Sequence, residues 1–342
     1  MKKMIQLLML LTLVFALSAC GTSGANGSGD DTLTIAWYPN ESGADMADAR
    51  EEIGKVFEET TGKKVEHKTT TDYIIAIEAL ANGSADVAFM GAQGYIEANT
   101  KNNKVQSIVV PSGPSGTLDD AKYNSWLAVN NGEQDKYKDG SEFKIDNIAD
   151  KKFSFVSNSS TSGFKVPSTN IVSYFSKMDK YKDLKAEDLL EGGKFFSEVL
   201  FGGSHQGSAV NLLSGKADAA AFCDTCVANY VELADGEENT AGAVYKVKDD
   251  AAEPFNTVKG KEFSIISTTP VLNAPFAVNT ETVNEEDVKK IKEALVSDEV
   301  MNNDKIFVPK DSGKPGLFFK TDKERFVEVE DSWFDPIREL SK

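Results

Sequence analysis

The stretch Ser157-Asn158-Ser159-Ser160-Thr161-Ser162-Gly163-Phe164-Lys165-Val166-Pro167 packs hydroxyl side chains between an apolar strand, Phe153–Val156, and a predicted helix running from about Phe164 to Met178. The first turn of a helix leaves unpaired amide donors and about half a positive charge, so a tetrahedral oxyanion can be held there without a cationic side chain. Pro167 fits, because proline is tolerated in a helix's first turn. The same residues also describe a serine-rich cap that holds no ligand, and the motif alone does not choose between the two.

A second turn, Gly202-Gly203-Ser204-His205-Gln206, precedes a predicted helix over Ala209–Ser214. His205 could donate to an oxyanion as a neutral or charged imidazole, although an isolated histidine more often serves structure. The chain's other histidine, His67, stands at a strand end and reads as structural. Arginine occurs only at positions 50, 325 and 338. An anion bound in the middle of the chain must therefore rely on backbone N–H groups, hydroxyls, histidine or lysine instead of a guanidinium fork. Cys223-Asp224-Thr225-Cys226 has redox-motif spacing, but nothing around it resembles a thioredoxin-type unit, so a structural pair or local staple is expected over a catalytic dithiol, and the sequence leaves open whether a disulfide joins the two.

The elements that must position these residues alternate strand with helix. Leu33–Trp37 reads as a strand, Asp45–Thr61 as an amphipathic helix, Lys64–His67 as a strand, Asp72–Leu80 as a capped helix and Asp86–Gly91 as a third strand. That order predicts a parallel α/β sheet. Alternation resumes at Phe153–Val156 and again at Ala217–Phe222, as in a second lobe of the same plan. The apolar stretches Ser125–Val129 and Ala274–Val278 bracket this lobe and are the candidate hinge strands. Asp287–Val300 reads as a helix, and the aromatic-rich Phe326–Leu340 is expected to pack on the first lobe.

Residues 1–19 read as an export signal: Lys2 and Lys3, an apolar run too short to span a bilayer, then small residues before Cys20. Similarity to lipoprotein signals implies cleavage before Cys20, acylation of its thiol and a flexible leash over 20–31. The predicted lobes are 32–124 with 272–342, and 125–271. A net charge of −17, more negative once Lys2 and Lys3 are removed, argues against nucleic acid or anionic lipid as partners, leaving the lipid as the only membrane contact.

Between residues 32 and 300 the chain resembles the phosphonate, phosphite and phosphate substrate-binding proteins of ABC importers, which have the two-lobed type II periplasmic-binding-protein fold. The resemblance is carried by Ser160-Thr161-Ser162-Gly163 followed by Val166-Pro167, by Gly203-Ser204-His205, by Gly215-Lys216-Ala217-Asp218-Ala219 and by Asp72-Tyr73. It implies that Ser160, Thr161 and Ser162 bind the phosphonyl oxygens, that Tyr73 and Tyr123 close over them, and that His205 adds a donor. Met90, Gln93, Asp224 and Asn273 are further candidate pocket positions, Met90 where an aromatic is expected. Binders of aminophosphonates in this family carry acidic residues near Thr225 and at Ala274. Their absence here predicts a phosphonate without an amine, phosphite or phosphate, although Asp224 could substitute. The expectation is a monomeric, non-enzymatic receptor for a membrane permease, with no cofactor or metal. A surface sensor for a thiamine-like or sulfonate ligand, or a hydrolase of phosphoesters or phosphonates, is the alternative. Two widely separated histidines offer a hydrolase little from which to build an activated nucleophile or a metal cluster.

Overall fold

A computed structural model describes residues 31–340. The export signal, Cys20 and most of the leash lie outside that range. Among the described residues no helix is long and apolar enough to cross a membrane.

The chain forms two large sheets, one per lobe. The first has strand order β17-β4-β14-β3-β1-β2, built from β1 (Thr32–Trp37), β2 (Lys64–Thr69), β3 (Val87–Phe89), β4 (Val105–Pro111), β14 (Phe276–Asn279) and β17 (Phe326–Glu328). The second has order β11-β12-β13-β5-β10-β8-β9. Its strands are β5 (Lys122–Asn130), β8 (Lys152–Phe155), β9 (Glu198–Phe201), β10 (Ala219–Cys223), β11 (Val231–Asp235), β12 (Val244–Val247) and β13 (Glu262–Leu272). Two small two-stranded pairs, β6 (Lys138–Asp139) antiparallel with β7 (Glu142–Phe143) and β15 (Phe307–Pro309) parallel with β16 (Phe318–Lys320), stand apart from them.

Both sheets are mixed where the alternation predicted parallel ones. β2, β1 and β3 run parallel, as do β9, β8 and β10, while β14, β4, β17, β5, β13, β12 and β11 pair antiparallel. Parallel neighbours need a crossover helix. β5 and β14 instead enter their sheets straight from the other lobe, and so run against their neighbours. Ser125–Val129 thus lies within β5 and Phe276–Val278 within β14. The chain passes between the sheets just before β5 and just after β13. These strands pair antiparallel from Asn130↔Phe263 to Lys122↔Leu272, which brings the two passages side by side.

The inner strands β3, β10 and β14 are buried on both faces and apolar nearly throughout, whereas the edge strands β2, β9 and β11 are partly or largely exposed. On β1, Leu33, Ile35 and Trp37 pack with Ile53 and Phe57 of helix α1 (Ala47–Thr61), whereas Ala36 packs with Ile77 and Leu80 of α2 (Tyr73–Ala81) and with Tyr95 of α3 (Ala92–Lys101). In the second lobe Trp126, Ala128, Ala220 and Phe222 face one cluster, while Leu127, Val129, Ala219 and Ala221 face the other. The C-terminal segment packs back on the first lobe through β17 on β4, and Tyr95 donates its hydroxyl hydrogen to Asp331.

Three helices differ from the sequence reading at their ends. The predicted 164–178 helix is a π-helical turn, Thr161–Lys165, followed by α4 (Val166–Phe175). The predicted 209–214 helix starts earlier, as α5 (His205–Leu213), because the Ser204 hydroxyl caps it by accepting from Gly207 N–H at 2.9 Å. The predicted 287–300 helix is broken into α7 (Glu285–Leu295) and α8 (Asp298–Met301), the second capped by Ser297. Between α5 and these lies the one-turn α6 (Asp224–Val227), and the chain's last helix is α9 (Asp335–Glu339).

Candidate functional site

A cavity of about 240 Å³ lies between the lobes, at the C-terminal ends of β1 and β3 and against the turn that follows β8. Ligand sites in open α/β sheets sit at such strand ends. Tyr38, Asn40, Glu41 and Tyr73 line it from the first lobe, and Ser160, Thr161 and His205 from the second, with Lys122, Tyr123, Asn273 and Ala274 near the chain passages.

The turn after β8 is held by its own serine. Ser160 sits in extended conformation, and its hydroxyl accepts from Gly163 N–H at 3.1 Å. The widened helical turn then closes through Lys165 N–H donating to Ser160 O at 2.9 Å and Val166 N–H donating to Thr161 O. The amides of Thr161 and Ser162 precede those bonds and belong to the unpaired donors of a helix start. π-Turns are uncommon and gather at functional sites. Pro167 occupies the first turn of α4, as expected.

His205 is fixed by both ring nitrogens. Cys223 N–H donates to Nδ1 at 3.0 Å, so the neutral ring carries its proton on Nε2, which stands 3.4 Å from Ser160 Oγ. Burial pushes the imidazole pKa down to about 3. His205 is therefore a neutral donor aimed at the serine turn. His67, by contrast, accepts from the Trp37 indole N–H at 3.0 Å, in agreement with its structural reading.

Tyr73, the first residue of α2, is placed by the Asp72 cap and packs against Tyr38 with ring centroids 4.1 Å apart and the planes tilted by 36°. Its hydroxyl accepts from Asn40 Nδ2 at 2.6 Å. Tyr123 lies on β5 opposite Val271, and burial raises its phenol pKa while the neighbouring Ser162 and Thr161 hydroxyls pull it the other way. Both phenols stay protonated and can donate.

The lobes meet across this cavity. Asn40 Oδ1 accepts from His205 N–H at 3.0 Å, and Thr161 Oγ1 accepts from Gln93 N–H at 2.9 Å. The Ser159 hydroxyl donates to Glu97 at 2.8 Å, and the Tyr230 hydroxyl donates to Asp45 at 2.8 Å. Gly91 permits the closest of these approaches, since a Cβ there would lie 2.8 Å from Thr161 Oγ1.

Six of the expected positions, Tyr73, Tyr123, Ser160, Thr161, His205 and Asn273, line one cavity. Ser162 lies just behind it, fully buried, its carbonyl accepting from the Ser125 hydroxyl at 2.6 Å. Met90, Gln93 and Asp224 do not line it. Met90 belongs to the first-lobe core, and Gln93 Nε2 donates to Glu97 at 2.9 Å. The Asp224 carboxylate accepts from Asn124 N–H at 2.9 Å, from Asn124 Nδ2 at 2.8 Å and from Thr225 N–H at 2.7 Å. Asn273 is tied by its Nδ2, which donates to Pro111 O at 2.7 Å. Cys223 and Cys226 form a disulfide, and Cys226 lies on the cavity wall.

Sequence reasoning missed Tyr38, Asn40 and Glu41. The available signal was their place just past the end of β1, a parallel strand. No arginine lines the cavity: Arg50 donates to the Glu41 and Gly43 carbonyls, Arg325 pairs with Asp298, and Arg338 with Asp331 and Asp335. Two of the six buried side-chain atoms without a hydrogen-bond partner among the described residues, Tyr38 Oη and Glu41 Oε2, belong to residues that line the cavity; the others are Ser162 Oγ, Gln206 Oε1 and, on β4 and β13, Ser107 Oγ and Thr268 Oγ1. Such atoms are rare in native interiors, and a polar ligand in the cavity would pair the first two.

Residues 35–334 match the model of the phosphonate ABC-transporter periplasmic substrate-binding proteins. The chain belongs to this family. Among curated proteins it is 27% identical over 198 residues to the phosphate-import protein PhnD of Mycolicibacterium smegmatis, a match covering 58% of this chain and 56% of that protein. Two solved structures share the fold. One is PhnD1 from Prochlorococcus marinus in complex with methylphosphonate, with a TM-score of 0.61 at 16% identity, covering 91% of this chain and 97% of that one. The other is a binding protein component of an ABC phosphonate transporter from Pseudomonas aeruginosa, with a TM-score of 0.63 at 18% identity, covering 91% and 85%. The two-lobed type II architecture follows, and the family consists of binding components of transporters, not of enzymes.

Proposed function

We propose that this chain captures a small phosphorus oxyanion in the cleft between its lobes and delivers it to an ABC permease. The observation that carries this is the convergence of uncharged donors on one point: the Ser160–Thr161–Ser162 turn, His205 Nε2–H and the phenols of Tyr73 and Tyr123. Preorganised hydroxyls and amides at a helix start suit a tetrahedral anion, and with no guanidinium in the cleft they leave room for a substituent on phosphorus.

The cavity volume, about 240 Å³, falls below the roughly 300–1,000 Å³ of drug-sized pockets, which favours a small ligand. Phe89, Phe307, Leu317, Phe318 and Ala274 give the same cavity an apolar wall, a suitable neighbour for a carbon substituent. A phosphonate with a small alkyl group fits both ends; phosphite and phosphate fit only the polar end. Residues 32–124 with 272–342 act as one lobe, 125–271 as the other, hinged where β5 and β13 run side by side. The working protein is a monomer held at the outer face of the membrane by lipid on Cys20.

The test is calorimetry on the unacylated body with methylphosphonate, phosphite, phosphate, aminoethylphosphonate and sulfate. Micromolar or tighter binding of at least one phosphorus anion, with none for sulfate, is expected. Absence of binding to every phosphorus ligand overturns the reading. Replacing Cys20 with alanine should release the protein from the membrane fraction while leaving binding intact.

A further inference from the structure

Two carboxylic acids line the cavity, and they differ in what holds them. Glu324 is fully committed: Oε2 accepts from the Thr321 and Asp322 amides at 2.9 and 2.7 Å, and Oε1 accepts from the Thr321 hydroxyl. Glu41 is not. Its Oε2 is buried without a partner, on the short 3-10 turn Pro39–Glu41 that follows β1.

The surroundings of Glu41 supply little positive charge. From α1, Arg50 points its guanidinium at the Glu41 and Gly43 carbonyls and makes no salt bridge with the Glu41 carboxylate. Asp45, beyond Arg50, accepts from Tyr230. Asn40 and the residue's own N–H offer partial support, and the phenols of Tyr38, Tyr73 and Tyr123 stand around it from β1's end, α2 and β5. Across the cleft, His205 is neutral and Asp224 is bound to Asn124. Lys122 lines the same cavity but is itself exposed.

A carboxylate in that position would repel an arriving anion, whereas a carboxylic acid would donate to it. We propose that Glu41 sets the protonation state the cleft accepts: it remains a neutral acid in the complex and donates its hydrogen to an oxygen of the bound phosphorus anion. This rests on the phosphorus-anion reading above. Capture then becomes proton-linked. Burial already lifts the Glu41 pKa to about 8 in the empty cleft, and a bound anion lifts it further. Below that pH the group contributes no pH dependence. Above it, binding must take up a proton, and affinity falls about tenfold per pH unit.

Methylphosphonate affinity of the unmodified protein and of Glu41→Gln, measured by calorimetry from about pH 6 to about pH 9.5, tests this. Glutamine keeps an N–H donor and cannot ionise. The ligand's own ionisation is common to both proteins, so the ratio of their affinities isolates Glu41. The two are expected to bind within about threefold of each other below pH 8 and to diverge by about tenfold per unit above it, the unmodified protein weakening. Calorimetry of the unmodified protein at high pH, in buffers of differing ionisation heat, should show uptake of close to one proton and does not depend on a variant folding. Parallel affinity curves with no proton uptake overturn the proposal while leaving the binding function standing. So does a loss confined to aminoethylphosphonate in Glu41→Gln, which would make Glu41 a counter-charge for an amine. Failure of both proteins to bind any phosphorus anion at any pH overturns the binding function as well.

Discussion

On the second-lobe wall of the cleft, Ser160 and Thr161 stand side by side in one turn with Ser162 buried just behind them, and His205 faces them from the next helix start. On the first-lobe wall, Tyr38, Asn40 and Glu41 come from the end of β1, Tyr73 from the start of α2, and no short motif unites them. The second wall presents donors already fixed by bonds within its own lobe: Gly163 N–H on Ser160, and Cys223 N–H on His205. The first wall is aromatic: Asn40 donates to Tyr73 within it and accepts from His205 across the gap, while Tyr38 Oη and Glu41 Oε2 have no partner. In the function proposed above, the second wall is the one that holds the anion, and the first completes the site.

Removing donors from the preorganised wall should have the largest effect. Ser160→Ala and Thr161→Ala should each weaken every phosphorus ligand by about one to two decades, since hydrogen bonds to charged groups contribute roughly 1.5–3 kcal/mol. The loss should be the same for phosphite and methylphosphonate in calorimetry, because these hydroxyls face the shared group. A loss confined to one ligand would break the division of labour between the walls.

The next effect is on folding. His205 is neutral in the fold, with a pKa near 3 against an ordinary 6.5, so below 6.5 the unfolded chain binds the extra proton. Stability from this group is complete above about pH 6.5 and is lost as pH falls toward 3, by about 1.4 kcal/mol per unit. Urea unfolding of the unmodified protein and of His205→Gln between pH 7 and 4 should show the variant losing less stability on acidification. Equal slopes would mean the ring is more accessible to protons than its burial implies.

Asn40 bridges the walls, accepting from His205 N–H and donating to Tyr73. Each such bond is worth roughly 0.5–1.5 kcal/mol, so Asn40→Ala should weaken binding about threefold to tenfold. The change should appear mainly as faster ligand release in stopped-flow measurements, because it loosens closure and leaves the second-wall donors in place.

The same contrast explains what could be read in the sequence. The second wall was legible because one segment carries it: a hydroxyl run between strand and helix has a local physical meaning. Even there, the π-turn was not foreseen, since propensity does not distinguish a widened turn from the first turn of an α-helix. The first wall depends on which strand ends face the cleft, a property of topology. Tyr38 and Glu41 fall between the predicted strand ending at Trp37 and the predicted helix starting at Asp45, and only the sheet order brings them beside Tyr73. The mixed sheets have the same origin, because alternation reports crossover helices but not strands that arrive from another lobe. Asp224 shows the converse error: a carboxylate near a motif is not free for a ligand when Asn124 and Thr225 already hold it.

Selectivity against an amine tail should move least, and Ala274 is where to look. Ala274 lines the cavity next to Asn273 and packs at the edge of a cluster that includes Phe89 and Phe276. Neither it nor Thr225 can meet an ammonium group with charge, and Asp224 is engaged elsewhere. Methylphosphonate should therefore bind more tightly than aminoethylphosphonate in the unmodified protein. Ala274→Asp places a carboxylate at the tail end, away from the serine turn. A charge pair open to solvent contributes about 0.2–1 kcal/mol, so aminoethylphosphonate affinity should rise by no more than about fivefold. Methylphosphonate should weaken slightly, since the new charge gives it repulsion and no partner. Opposite shifts for the two ligands, read by calorimetry, would locate the tail at Ala274. Tight aminoethylphosphonate binding before any substitution would instead point to Glu41, the remaining uncommitted carboxyl of the cleft, as the amine's partner.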